Sequence, residues 1–170
     1  MASKKEVWQR GPIENIPGLL QPVAHALLEA REEVNETMTG FPEALLWERP
    51  AGVAAPAFHL QHLAGVIDRL FTYARKESLT GEQLYLLSIE GDQKKTSSPM
   101  AQLIENFNHR VDLAVIELSK VNTGTLLEAR GVGRAQIPTT LIGLYFHAAE
   151  HSMRHTGQLL VTVRIILAAS

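Results

Sequence analysis

A chain of 170 residues with 45% hydrophobic content can fill one core, and it is read as a single domain over 1–170. Lys plus Arg number 16 against 18 Asp plus Glu, and the signs are interspersed, so there is no field to recruit nucleic acid or an anionic membrane. Cysteine is absent, which excludes a disulfide framework, a thiolate metal site and a cysteine nucleophile, and leaves nitrogen and oxygen as the metal donors.

Residues 1–10 lack the apolar run of a signal peptide, so a cytoplasmic protein is expected. Apolar residues at spacings of three and four predict a first helix over about 18–38, with Leu19, Leu20, Val23, Leu27, Ala30 and Val34 on one stripe, stopped by Gly40, Phe41 and Pro42. Trp8 and Trp47 read as packing residues. A second helix is predicted from Pro56, where a missing N–H is tolerated in the first turn, to about Lys76. A connector follows, holding a short helix over 81–90.

The third helix is expected to open at Ser98-Pro99, serine as N-cap and proline at the first helical position, and to end near Asn122-Thr123-Gly124. The last helix should start around Pro138 and run to about Leu167. Its apolar C-terminal run, 159–169, is broken by Arg164 and is too short to cross a bilayer. No segment alternates like a strand. The pattern is therefore all-α, a four-helix bundle with a short extra helix in the helix 2–helix 3 connector. The apolar residues around 161–167 call for cover, most simply by a second subunit in a homodimer.

Five of the seven histidines fall in two segments, 58–63 and 147–158. His147, His151 and His155 follow one another at i, i+4, so their rings stand one turn apart on one face, and such a pair can place two imidazole nitrogens on one cation. A third ligand must come from another helix. His62, on the stripe that continues through Leu63, Val66 and Leu70, is the best candidate, with His59 one turn earlier. The bland alternative is a set of core or surface histidines satisfied one by one, but burying several imidazoles without a common partner leaves many nitrogens to pair. Glu150 before His151 does not make a protease motif, because the order is Glu-His-x-x-x-His, and with Arg154 it forms a surface ion pair. His25 and His109 stand alone.

Trp47-Glu-Arg-Pro50 leading into Phe58-His59-Leu60-Gln61-His62-Leu63-Ala64, and Phe146-His147-Ala-Ala-Glu150-His151 followed by Arg154-His155-Thr156-Gly157-Gln158, resemble the DinB/YfiT-like superfamily of metalloenzymes. The resemblance covers most of the chain. It implies a four-helix bundle of unusual connection order, frequent homodimers, and one nickel, zinc or iron ion on His62, His151 and His155. It leaves His59 and His147 beside the trio, in the second shell or the pocket, where Gln158 is also placed. It further implies an enzyme that joins a small thiol co-substrate to a small molecule, as a thiol S-transferase does.

The chemistry such an ion supports is activation of water or a small thiol as a nucleophile. Two rival readings use the same ligands: a metal-dependent hydrolase of a small ester or amide, and a non-catalytic metal-binding or stress-related bundle with a site closed to solvent. Three imidazoles by themselves accept zinc, nickel, copper or iron. Gln158, Tyr145, Arg69 and Tyr73 are candidates to line the cavity.

Overall fold

The computed structural model describes residues 4–96 and 98–170. Helix α1, Gln21–Met38, enters through the 3-10 turn Gly18–Leu20 and carries Pro22 in its first turn, where no intrahelical N–H is needed. Helix α2, Pro56–Ala74, starts on a proline for the same reason. Helix α3, Gly81–Ile89, opens with a capping box in which Thr80 accepts from the Gln83 N–H and the Gln83 side chain accepts from the Thr80 N–H. Helix α4 spans Met100–Leu118, and helix α5 spans Leu141–Ala169. At 29 residues, α5 is roughly 43 Å long.

The main packing runs α1–α5, α5–α2, α2–α4 and α4–α1, so α1 and α2, consecutive in sequence, are not principal neighbours. The cause is the apolar stripe of each helix. Leu27, Leu63, Phe107 and Leu159, one from each long helix, are wholly buried in a common core. Burial of such a side chain contributes about 1.5–3 kcal/mol. Where α1 meets α4, Asn35 and Asn108 exchange two amide hydrogen bonds, of 2.8 and 3.1 Å. Among the described residues no helix is long and apolar enough to cross a membrane.

The all-α expectation needs a correction. Strands β1, Ala129–Val132, and β2, Ile137–Thr140, form an antiparallel hairpin with Gly131 opposite Pro138. Each strand is only four residues long, too short for alternation to register, while Val132, Ile137, Thr139 and Thr140 favour the extended backbone. Proline is tolerated because both strands of a two-stranded sheet are edges. The hairpin docks on the end of α2, where Arg130 Nε donates to the Ala74 carbonyl at 2.7 Å. Helix α5 therefore begins at Leu141 rather than around Pro138, capped by Thr140 Oγ1 accepting from the Gly143 N–H.

Helix α4 also differs at both ends. Pro99 takes the extended cap position itself, and the Met100 N–H donates to Glu43 Oε1 at 3.0 Å, so a distant carboxylate does what Ser98 was expected to do. The helix ends at Leu118, and Asn122 caps a separate 3-10 turn, Thr123–Thr125. Leu19, in the turn before α1, leaves the helical phase and is exposed. Trp8 is exposed too, its indole donating to Glu6 at 2.6 Å, whereas Trp47 packs against the core.

Candidate metal centre

The α2–α5 contact brings the two histidine segments together. On α2, Phe58, His59 and His62 lie within four residues, so their side chains share one side of the helix. On α5, His151 and His155 are one turn apart. The rings of His62, His151 and His155 form a triangle, with centroids 5.1 Å (His62–His151), 4.4 Å (His62–His155) and 4.6 Å (His151–His155) apart. Each offers a ring nitrogen within 4.8 Å of the other two, and all three residues are half-buried. The Nε2 atoms of His62 and His151 approach to 2.9 Å.

Two further groups hold these rings. Glu90, just beyond α3, receives the other nitrogen of His62, with Nδ1 to Oε2 at 2.7 Å, while its Oε1 accepts from Arg69 Nη1 at 2.5 Å. A hydrogen bond donated from Nδ1 to the carboxylate leaves Nε2 as the His62 nitrogen that can face a cation. His59, 3% exposed, places its Nδ1 3.2 Å from Nδ1 of His155, so one ring donates and the other accepts. Phe58 stacks on His62 at 5.3 Å and 13° and stands edge-on to His155. Glu90 is not marked as a site residue by the sequence, because its partner His62 lies 28 residues away.

The electrostatics favour neutral imidazoles. Burial first, then the charge of His62, lowers His59 to about 4. Burial and the neighbouring histidines lower His155 to about 4, and burial with His62 and His147 lowers His151. Burial alone would raise the Glu90 carboxyl, but the hydrogen bonds from His62 and Arg69 outweigh it and hold Glu90 below its ordinary value. His59, His151 and His155 thus resist protonation, and each neutral ring keeps one nitrogen lone pair that a cation can use. The His151 Nδ1 is buried with no hydrogen-bond partner. Three convergent ring nitrogens fit a divalent ion of the zinc, nickel or iron kind.

A histidine that stays neutral in the fold and charges in the unfolded chain takes up a proton on unfolding. The metal-free protein is therefore expected to lose stability as pH falls from about 6.5 toward about 4, where the contribution of His59 and His155 is exhausted. Urea unfolding across that range measures it. A flat profile between those values would contradict the placement of these two rings.

His147 is exposed beside Glu150, its ring 5.1 Å from that of His151 at the rim of the trio, and Glu150 pairs with Arg154 as expected. Gln158 is exposed. Tyr145 is buried against Phe71 with its hydroxyl on Glu117, and burial first, then the Glu117 charge, raises its pKa. Tyr73 faces the hairpin. Arg69 alone of these reaches the centre, through Glu90. A cavity of about 350 Å³ lies behind Glu90, between α2, α3 and α4, with Gln61, Gly65 and Arg110 among its walls.

The family model of the DinB superfamily matches residues 26–159, a stretch that holds the three histidines and Glu90. Among solved structures, a conserved protein from Enterococcus faecalis is similar with a TM-score of 0.73 at 17% identity, over 88% of this chain and 97% of that one. A protein from Streptococcus pneumoniae is similar with a TM-score of 0.61 at 11% identity, over 87% and 89%. At these identities the likeness is one of fold. No curated protein matches the chain.

Proposed function

The chain belongs to the DinB superfamily, and from that premise we propose that it is a metal-dependent enzyme holding one divalent ion on His62, His151 and His155 within a four-helix bundle. The convergence of three half-buried imidazoles from two helices carries this reading. Their partial exposure favours an open centre over the closed one of a non-catalytic bundle. Zinc and nickel are the first candidates, with iron next. When bound, the ion supplies Lewis-acid chemistry, lowering the pKa of a small thiol or of water so that it attacks at neutral pH.

The protein's own residues orient and shield. Glu90 fixes the His62 ring, His59 holds His155, and Phe58 covers one side of both, excluding water there. The chain has no thiol, so a sulfur nucleophile must be a small external thiol, and the substrate a small electrophile. In the transfer, a sulfur–carbon bond forms, the leaving group departs with its electron pair, and the thiol proton passes to solvent. We take the working unit to be a homodimer in which the exposed Val161, Ile165 and Leu167 of α5 are covered by the second copy.

The test mixes zinc- or nickel-loaded protein with glutathione or cysteine and a chlorobimane. Thioether is expected to form at least roughly tenfold faster than in the protein's absence, an effect of at least about 1.4 kcal/mol, and His151→Ala should abolish the gain. Loaded protein that hydrolyses small esters yet leaves the thiol reaction at its background rate would overturn the thiol reading.

A further inference from the structure

We propose that Glu90 is a positioning residue of the histidine centre: its carboxylate, anchored by Arg69, holds the His62 Nδ1 proton and so aims the Nε2 lone pair of His62 at His151 and His155. The inference rests on the metal reading given above and names a determinant of that same site.

Several features converge on this one carboxylate. Glu90 follows α3 at its C-terminal end, where the helix dipole disfavours a negative charge, so its presence there calls for a compensating partner. It has two, Arg69 Nη1 at 2.5 Å and His62 Nδ1 at 2.7 Å, and its side chain is only 9% exposed. Room for the pair comes from Gly65 in the middle of α2. A Cβ at that position would lie 2.5 Å from Arg69 Nη1 and 2.6 Å from Glu90 Oε1, and both atoms are confined by burial. A glycine inside a helix is less favourable than alanine, and the carboxylate–guanidinium pair occupies the space that it leaves.

The next residue fixes the backbone. Gly91 has φ of +78°, a left-handed conformation that suits glycine, and a Cβ there would come within 3.0 Å of the Phe58 ring. Its N–H donates to Gln61 Oε1 at 2.8 Å. Residues 58, 61, 62, 65 and 69 of α2 thus form a cradle for Glu90-Gly91. The far end of α3 is tied separately, through Gln83 Nε2 to Asp68 at 2.9 Å and to Thr72 at 2.8 Å, so truncating Glu90 leaves that helix anchored.

The geometry also predicts which substitutions are tolerated. A glutamine at 90 keeps an oxygen that accepts from His62 Nδ1, whereas an alanine leaves that nitrogen without its acceptor and frees the ring to rotate or change tautomer. Carboxylate or carbonyl partners of metal-bound histidines typically set affinity by about 10–100-fold.

The experiment uses the full chain with no histidine tag, as wild type, Glu90→Gln and Glu90→Ala. In the metal-free proteins, the ¹⁵N shifts of the labelled His62 ring report the tautomer, and zinc affinity is measured by competition with a chromogenic chelator. His62 is expected to carry its proton on Nδ1 in wild type and Glu90→Gln, and to shift toward the Nε2 form in Glu90→Ala. Zinc binding should weaken about 10–100-fold in Glu90→Ala and be largely rescued in Glu90→Gln. Circular dichroism separates these effects from unfolding, and if alanine unfolds the chain, the glutamine variant and the wild-type tautomer still decide. An Nε2-protonated His62 in wild type, or a folded Glu90→Ala with unchanged tautomer and affinity, overturns the inference. Wild type that takes up no zinc overturns the metal reading instead, while the tautomer comparison still decides what Glu90 does to His62.

Discussion

The His151→Ala protein is expected to lose its divalent ion while keeping its fold. Zinc held by a four-ligand structural site is bound with about 10–16 kcal/mol, so removing one protein ligand of three removes of order 3–4 kcal/mol, or roughly 10²–10³ in affinity. His62 and His155 then remain as a pair, and His155 has His59 as a competing partner. The fold has less at stake. His151 is half-buried, its Nδ1 has no hydrogen-bond partner, and burial, followed by the charges of His62 and His147, disfavours its protonated form. Elemental analysis after dialysis reads the metal, and urea unfolding of the metal-free variant reads the fold. Retention of wild-type metal content by His151→Ala would remove this histidine from the centre.

Phe107→Ala should do the reverse. This ring is the largest of the fully buried side chains, placed on α4 where no histidine of the centre resides. Its truncation is expected to cost about 3–5 kcal/mol, the transfer term plus an unfilled cavity. That is a large part of the about 5–15 kcal/mol available to an ordinary domain. The metal-free variant should unfold at much lower urea, and the fraction that remains folded should carry as much metal per chain as wild type. Loss of metal from folded Phe107→Ala would mean that α4 bears directly on the centre.

The two variants separate what was legible in the sequence from what was not. The core was legible because its signal is local and periodic: Leu27 and Val34, Leu63 and Leu70, Phe107 and Val111 repeat at helical spacing and are all buried. The i, i+4 histidines were legible on the same grounds. Helix rotation explains the limits of that signal. At 100° per residue, His151 lies about 40° to one side of His155, Gln158 about 60° and His147 about 80°, while Leu159 and Ser152 lie about 40° and 60° to the other. The second side faces the core and is buried. The first turns progressively to solvent, so His151 is half-buried while Gln158 and His147 are exposed.

Glu90 was not legible, because its contact with His62 spans 28 residues and no local pattern announces it. Its one clue was an acidic residue at the end of a short helix just before a glycine, against the helix dipole. The hairpin hid for a related reason. Its strands are four residues each, and what holds them is pairing across a turn at Gly133 and Gln136, both of positive φ, together with a contact from Arg130 to the end of α2. The Glu43 cap of α4, 57 residues from Met100, belongs to the same class of long-range contact.

The most direct test is elemental analysis of the untagged wild-type chain after incubation with zinc or nickel and exhaustive dialysis, because a histidine tag would itself bind metal. About one ion per chain is expected, lost in each of His62→Ala, His151→Ala and His155→Ala while circular dichroism stays unchanged. A wild type that cannot be loaded, or that holds its ion equally well without any one of these histidines, would contradict the assignment of the centre.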